Sequence, residues 1–258
     1  MTVIYAMKRL SWSTIGIVIV AILSACGKER APDKGAQRPG KAAPAALVAG
    51  TAIAAPRPEA AERAAFLHAL GAAAFVKAAG DPVAADAAIA RLEEAVALDP
   101  TVDLYAADLA DAYLQMDTEA SIAIAIDLYE EVLSNDPEND ALRGRVVIAY
   151  QALGNFTNAW AHLERRAAGT KVNVFGTGLQ AAVLARLSRD LARGEALLRE
   201  LLARHGKERV LRLFLADLLE ARGDRRGARE ALTEATRGLP ADDPFTVEAR
   251  WLAERWRR

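Results

Sequence analysis

The feature that most constrains the fold is a helical pattern that recurs about every 34 residues from the middle of the sequence onward. Five similar segments end at Pro100, Pro137, Lys171, Gly206 and Pro240, so their spacings are 37, 34, 35 and 34 residues. They read "AAIARLEEAVALDP", "IAIDLYEEVLSNDP", "NAWAHLERRAAGTK", "GEALLRELLARHG" and "GAREALTEATRGLP". A second helix-like segment precedes each of them. A fixed period of this length is typical of stacked two-helix units, whereas an irregular helical bundle would not explain it.

Small residues recur where the two helices of a unit would cross closely, and large apolar residues recur where units would pack on one another. The small residues are Gly71, Ala110, Ala181 and Ala216 on first helices and Ala88, Ala125, Ala159, Gly194 and Ala228 on second helices. The large ones are Leu70, Leu109, Val146, Leu215, Leu92, Tyr129, Leu163, Leu198 and Leu232. Proline ends three of the five units because it cannot continue a helix. Gly154-Asn155 and Gly223-Asp224 indicate tight turns within units.

This pattern resembles the tetratricopeptide repeat, a unit of 34 residues, over residues 59 to 242. The resemblance implies an all-α fold: a right-handed superhelix of antiparallel helix pairs, with about five repeats. The last segment, "DDPFTVEARWLAERWRR", predicts a C-terminal capping helix. We expect Asp242 or Asp243 to cap it, Pro244 to lie in its first turn and Trp251 to cover the open side of the fifth unit.

The repeat pattern weakens at several places. The first two units carry insertions between their helices, at "AAGDPVAAD" and "MDTEASIAI". Gln180 and Arg193 stand near expected core positions of the fourth unit, and Arg166 replaces a small residue in the third. These departures are open to two interpretations, sequence drift or a functional opening near units three and four.

The amino-terminal residues 1–25 have the composition of a secretory signal. Lys8 and Arg9 precede the apolar run "WSTIGIVIVAIL", which is shorter than the ~20 apolar residues that span a membrane. The following quartet, Leu23-Ser24-Ala25-Cys26, resembles the lipobox of bacterial lipoproteins. That resemblance implies lipidation of Cys26 and cleavage before it, with two or more acyl chains for stable anchoring. The alternatives are a buried core cysteine and an uncleaved signal anchor.

Gly27 follows this cysteine where some lipoproteins carry an aspartate that retains them in the inner membrane. The resemblance therefore implies the periplasmic face of the bacterial outer membrane as the location.

Residues 26–57 have the composition of a flexible tether. They are rich in Ala, Pro, Gly and Lys, contain no aromatic residue and carry six Lys/Arg against two Asp/Glu. Such a segment buries too little surface to offset its conformational entropy and would reach roughly 30 Å. The apolar stretch from Ala45 to Ala55 is the exception, since it could pack on the folded domain as an arm.

Residues 58–258 form the predicted folded domain, which is acidic. The whole chain carries a net charge of −1, and setting aside +2 from the signal and +4 from the tether leaves −7. An acidic domain is unsuited to nucleic acid, whose phosphates it would repel.

The sequence contains no pattern that indicates an enzyme, a metal site or a cofactor. His68, His162 and His205 fall in separate repeats, and neither HxxxH nor CxxC spacing occurs, although metal sites need converging ligands. The stretch "VFGTGLQ" favours a loop and a helix start over a phosphate-binding loop. We therefore expect a protein that is not an enzyme and has no cofactor.

The resemblance implies that the first helices line a peptide-binding groove. Aligning the units assigns to it Phe75, Leu104, Asp108, Asp111, Leu114, Arg145, Ile148, Phe175, Arg186, Phe214 and Asp217, together with His68, Gln151, Val210 and Glu220. Most positions at which some family members clamp a C-terminal carboxylate carry Ala, Gly or Asp here. We expect no such clamp, but a mixed apolar and acidic surface for a hydrophobic or basic segment.

Taken together, these features predict a lipid-anchored periplasmic scaffold with a protein or peptide partner. By layout the chain is similar to the pilotin lipoproteins of type IV pili, which implies pilus or secretin biogenesis. The alternatives are β-barrel assembly, peptidoglycan-enzyme docking, polysaccharide export, cytochrome maturation, or an enzyme or small-molecule binder built on the repeats.

Overall fold

A computed structural model describes residues 56–78 and 81–256, and within these ranges the chain forms eleven α-helices and no strand. The described part divides into two compact units, one ending at His162 and the other beginning at Leu163. The amino-terminal unit contains α1 (Pro58–Lys77), α2 (Pro82–Leu98), α3 (Asp103–Gln115), α4 (Glu119–Asn135) and α5 (Asp140–Ala152). The boundary falls within α6 (Phe156–Ala168). The carboxy-terminal unit contains α7 (Val174–Leu187), α8 (Leu191–Arg204), α9 (Arg209–Ala221), α10 (Arg225–Thr236) and α11 (Pro244–Arg255).

The fold class is therefore all-α, built from tetratricopeptide-type helix pairs, as the repeat predicted. The predicted signal, Cys26 and the tether up to Ala55 lie outside the described residues. Within the described residues, no helix combines the length and apolar composition needed to cross a membrane.

Side-chain caps fix where most helices start. Thr118 accepts a hydrogen bond from the backbone of Ser121, whose hydroxyl accepts one in return from the Thr118 backbone. Such caps satisfy amide groups that have no partner within the helix. The other side-chain caps are Asp81, Asn139, Asn155, Asn173, Asp190, Asp224 and Asp243. The Asp243 cap confirms the predicted start of the last helix.

The amino-terminal unit is held together by the close approach of successive helices. α1 packs on α2, α2 on α3, α3 on α4, and α4 on α5. At Gly71 an added Cβ would lie 3.0 Å from the Cγ of Leu92 and 3.1 Å from the carbonyl oxygen of Ala88, so it would fit only if these neighbours on α2 shifted. Ala88, Ala110 and Ala125 are fully buried, as predicted for the helix crossings.

The carboxy-terminal unit repeats this arrangement. α7 packs on α8 and α9, α9 on α10, and α11 on both α9 and α10. An added Cβ at Gly194 would lie 2.4 Å from the Cβ of Ala185, so the small residue predicted at this crossing is required by the backbone spacing. Leu198 and Leu218 fill the interior around it.

A left-handed residue marks the turn inside four of the repeats. Gly154 and Gly223 have φ angles of 76° and 87°, and both were predicted as turns. The equivalent positions in the second and fourth repeats are Asp117 and Arg189, with φ angles of 51° and 59°. A side chain at such an angle is strained relative to glycine, so two repeats keep the turn without the residue that suits it.

Three sequence predictions are wrong in detail. Leu70 is exposed rather than buried, because it lies on the side of α1 that no described helix covers. Trp251 is also exposed, and Ala249 and Leu252 make the buried contacts of α11 instead. The insertions do not lengthen loops: they extend α2 and α4 to 17 residues, against 13 in α6.

Candidate binding surfaces

The groove residues predicted on α1 and α3 meet through a histidine–aspartate pair. The Nε2 of His68 lies 2.9 Å from the Oδ2 of Asp108, and the His68 ring lies against Tyr105 with centroids 4.5 Å apart. Asp108 is on the same side of α3 as Leu104 and Asp111, since positions i, i+4 and i+7 share one face of a helix. The pair therefore joins the predicted inner sides of two successive first helices.

Asp111 continues this surface from α3 to α5. The Nη1 of Arg145 lies 2.7 Å from its Oδ2, and the Tyr129 hydroxyl donates a hydrogen bond to its Oδ1. Burial raises the pKa of Asp111, while the hydrogen bond from Tyr129 and the charge of Arg145 oppose that rise. Burial and the hydrogen bond to Asp111 raise the pKa of Tyr129. Both acidic residues predicted for this part of the groove thus already have partners within the protein.

Two apolar side chains beside these pairs are exposed to solvent. Leu104 is 57% exposed and Ile148 is 47% exposed. Ile148 lies one turn beyond Arg145 on the same side of α5. We call the surface formed by His68, Leu104, Asp108, Asp111, Arg145 and Ile148 the amino-terminal face. Phe75 and Leu114 were also predicted here, but both are partly buried against the core, and the Nε2 of Gln151 is buried.

The groove residues predicted in the carboxy-terminal unit form a separate cluster. Arg186 donates from its Nη2 and Nε to the Oδ2 of Asp217, at 2.7 and 3.0 Å. Arg255 of α11 donates to Oδ1 of the same carboxylate at 2.9 Å and also lies over the Trp251 ring, 5.0 Å from its centroid. Arg186, Asp217, Arg255 and Trp251 are called the carboxy-terminal cluster below.

The apolar residues predicted for this part of the groove differ in how deeply they are buried. Phe214 and Val210 are buried, so both serve the core. Phe175 is partly buried and contacts Phe214, with ring centroids 5.9 Å apart. Glu220 is likewise partly exposed. Phe175 is therefore the one of these three apolar residues that a ligand could touch.

The irregular positions of the third and fourth repeats are structural in this unit. The buried Arg166 donates to the Oε1 of Gln180 at 2.6 Å, so two residues that break the apolar pattern satisfy each other. Arg193 lies near the surface and donates to Glu164, also at 2.6 Å. These contacts favour the drift interpretation over a functional opening.

Sequence reasoning missed a contact that recurs between second and first helices. The Tyr113 hydroxyl donates to Glu93 at 2.5 Å, and the Tyr150 hydroxyl donates to Glu130 at 3.0 Å. The same 37-residue offset relates the two tyrosines and the two glutamates, so the signal was present in "LEEA" and "YEEV". Arg255 was also missed, because the terminal helix lies outside the repeat alignment.

The described residues give no indication of metal chemistry. Nowhere in residues 56–78 and 81–256 do three His, Cys, Asp or Glu side chains come together in a way that could hold a metal ion. His68 and His162 pair with Asp108 and Glu130 respectively, in contacts of 2.9 Å.

The comparisons with known proteins support the fold. No family model matches the chain, and no curated protein matches it either. Among solved structures, nearly identical TPR-like repeats from Podosopora anserina have a TM-score of 0.54 at 19% identity, covering 77% of this chain and 100% of that one. A double mutant of MamA, a protein from Desulfovibrio magneticus RS-1, has a TM-score of 0.53 at 12% identity, covering 75% of this chain and 97% of that one.

A structure of pilF from Pseudomonas aeruginosa has a TM-score of 0.49 at 16% identity, covering 77% of this chain and 90% of that one. This similarity is too low to support an argument about function. Together the better matches establish a tetratricopeptide-type fold.

Proposed function

We propose that this chain is a lipid-anchored scaffold of the bacterial envelope that is not an enzyme and binds an extended protein segment on its amino-terminal face. The observation that most supports this proposal is that exposed apolar side chains lie beside charged side chains that already have partners within the protein. Leu104 and Ile148 are open, while Asp108 and Asp111 between them are already paired. Burying the two apolar side chains would release water at little electrostatic cost.

The spacing of the two apolar residues predicts the form of the segment. Asp111 and Arg145 stand opposite each other, with Leu104 seven residues before the first and Ile148 three residues after the second. Helical rise separates the two apolar side chains by roughly 15 Å along the helix axes, and neighbouring helices lie a further ~10 Å apart sideways, so the direct separation is roughly 18 Å. An extended peptide covers about 20 Å between residues i and i+6, whose side chains point to the same side. The preferred ligand is an extended segment with two apolar residues in this register.

The lipobox-like quartet that ends at Cys26 supports the envelope location, and the pilotin-like layout makes pilus or secretin assembly the first pathway to test. On this proposal the lipid holds the chain on the periplasmic face of the outer membrane while the folded units bind the partner.

The test places a photo-crosslinking residue at Leu104 or Ile148 in the full chain within its own cells. The matched control position is Val247, an equally exposed apolar residue on α11. We expect both face positions, and not the control, to give an adduct with the same envelope protein. Identification of a secretin would support the pilus pathway, and a barrel-assembly protein or a peptidoglycan synthase would support another. Equal labelling from all three positions would disprove the binding face.

A second variant separates charge from apolar contact. Ile148→Ser in a chain that carries the crosslinker at Leu104 should weaken adduct formation by about tenfold, because one buried Ile side chain contributes at least that factor. Reversing charge at Asp108 or Asp111 would be a poorer test, since it would also break the pairs that hold α1, α3 and α5 together.

A further inference from the structure

The first helix carries an apolar stripe that no other described helix covers. Phe66, Leu70 and Val76 are 66%, 43% and 79% exposed. At 100° per residue these side chains, with the exposed Ala69 and Ala73, fall within about 120° of one side of α1. The opposite side, with Ala64 and Gly71, is buried. Soluble proteins rarely leave a continuous apolar surface of this kind without an occupant.

We propose that the apolar segment of the tether, Ala45–Ala55, is the occupant of this stripe. Residues 42–56 carry no charge, whereas all the charged residues between Cys26 and that segment lie before position 42. Only Pro56 and Arg57 connect the segment to the start of α1 at Pro58. So short a connection gives the segment an effective concentration in the millimolar range at the stripe.

The length and the alternation of the segment match the stripe in one register. In an extended conformation Leu47, Ala49, Thr51, Ile53 and Ala55 point to the same side. A chain that turns back at Arg57 would bring Ile53 about 13 Å along α1, beside Phe66, which lies about 12 Å from the helix start. Ala49 would reach about 26 Å, beside Val76, which lies about 27 Å along the helix, and Leu47 would lie just beyond the end of the stripe.

The backbone at the junction is compatible with this path. Arg57 is extended, with φ −63° and ψ 147°, and Pro58 begins the helix directly after it. The arm would thus cover the exposed side of the first repeat, as a preceding helix would in the middle of a repeat array.

A photo-crosslinking phenylalanine analogue in place of Phe66, in the purified full chain, tests the contact. Equal amounts of ¹⁵N-labelled and unlabelled chain are mixed before illumination, and the crosslinked peptides are identified by mass. We expect adducts between position 66 and residues 45–55 within one isotopic chain, and none from the control position Val247. Mixed-isotope adducts would identify a second copy as the occupant, and adducts with lipid alone would identify the membrane; either result, or no adduct, overturns the proposal.

Paired substitutions in the arm test the register. Leu47→Asp with Ile53→Asp should reduce the adduct by about tenfold or more, because burying one Leu or Ile side chain shifts an equilibrium by at least that factor. The matched control, Val48→Asp with Ala54→Asp, adds the same charge on the other side of the extended arm and should leave most of the adduct. Equal loss from both pairs would overturn the extended arrangement.

Discussion

The crossing of α7 and α8 at Gly194 allows a quantitative test of how the repeat spacing is fixed. Replacing Gly194 by alanine places a Cβ 2.4 Å from the Cβ of Ala185, 2.9 Å from Leu218 Cδ1 and 3.3 Å from Ala181 O. The Leu218 terminus can rotate away. The Ala185 Cβ cannot, because it is fixed to the α7 backbone. The helices must therefore separate to accept the extra methyl group.

Two opposing effects decide the magnitude. Overpacking of a close-packed site costs about 1–3 kcal/mol, whereas Gly→Ala inside a helix stabilises by about 1 kcal/mol. Gly194→Ala should therefore lower the free energy of unfolding by about 1 kcal/mol. In a chain that already carries Ala185→Gly the obstacle is gone, and the same substitution should raise stability by up to about 1 kcal/mol. The substitution Gly194→Ala is thus expected to destabilise the chain when position 185 is alanine and to stabilise it when position 185 is glycine.

Urea unfolding followed by circular dichroism, with hydrogen exchange of the α7 and α8 amides, measures the four chains of this cycle. Gly206→Ala is the control, because its Cβ would contact only the Leu202 carbonyl oxygen, at 3.4 Å, and its effect should stay within about 0.5 kcal/mol. If Gly194→Ala has the same sign and size in both backgrounds, the coupling is absent, and crowding by Ala185 does not require the glycine.

Three further predictions concern charge, turn geometry and anchoring. The hydrogen bond with His162 lowers the pKa of Glu130 below its ordinary 4.5. The ionised Glu130 carboxylate therefore stabilises the folded state above pH 4.5, and this stabilisation is lost as the pH falls through the lowered pKa. The difference in unfolding free energy between the native chain and Glu130→Gln should therefore shrink below pH 4.5, and a constant difference would contradict this. Arg189→Gly should stabilise the chain by about 1 kcal/mol and Gly223→Ala destabilise it by a similar amount, measured by urea unfolding, since both positions are left-handed; a shift in the same direction for both would refute the argument. Cys26→Ser should move the protein from the membrane to the soluble fraction on cell fractionation, and its retention in the membrane would argue against the lipid anchor.

The repeat made the fold predictable because its geometry imposes residue size at fixed positions. Ala110, Ala181 and Gly194 had to be small for helices to cross, and a period of about 34 residues placed them correctly. Leu70 follows the same pattern yet is exposed, because the pattern describes a helix inside an array and α1 has no described helix before it. Errors of this kind concentrate at the ends of a repeat array, where a neighbour is missing.

The candidate site was less predictable because alignment assigns a side of a helix and not the contacts of its side chains. Asp108, Asp111 and Asp217 were placed on inner sides and interpreted as an acidic surface, but each is paired across helices. The repeat alignment also placed Phe214 on the groove side of its helix, yet its side chain is buried. Arg255, which contacts Asp217 from 38 residues away, has no counterpart in the repeat pattern. Pairing over such distances depends on side-chain reach, which a periodic pattern does not encode.

The internal pairing of charges on the amino-terminal face and in the carboxy-terminal cluster has a consequence for selectivity. A charged group on an incoming chain must replace an internal partner of the residue that it contacts. The binding free energy therefore contains only the difference between the new ion pair and the internal one, so charge discriminates weakly among ligands. Selection then falls to the positions of apolar side chains, which many unrelated sequences can supply. On the proposed function, binding would depend only weakly on ionic strength, and the accepted ligands would share the spacing of their apolar residues but not their sequence.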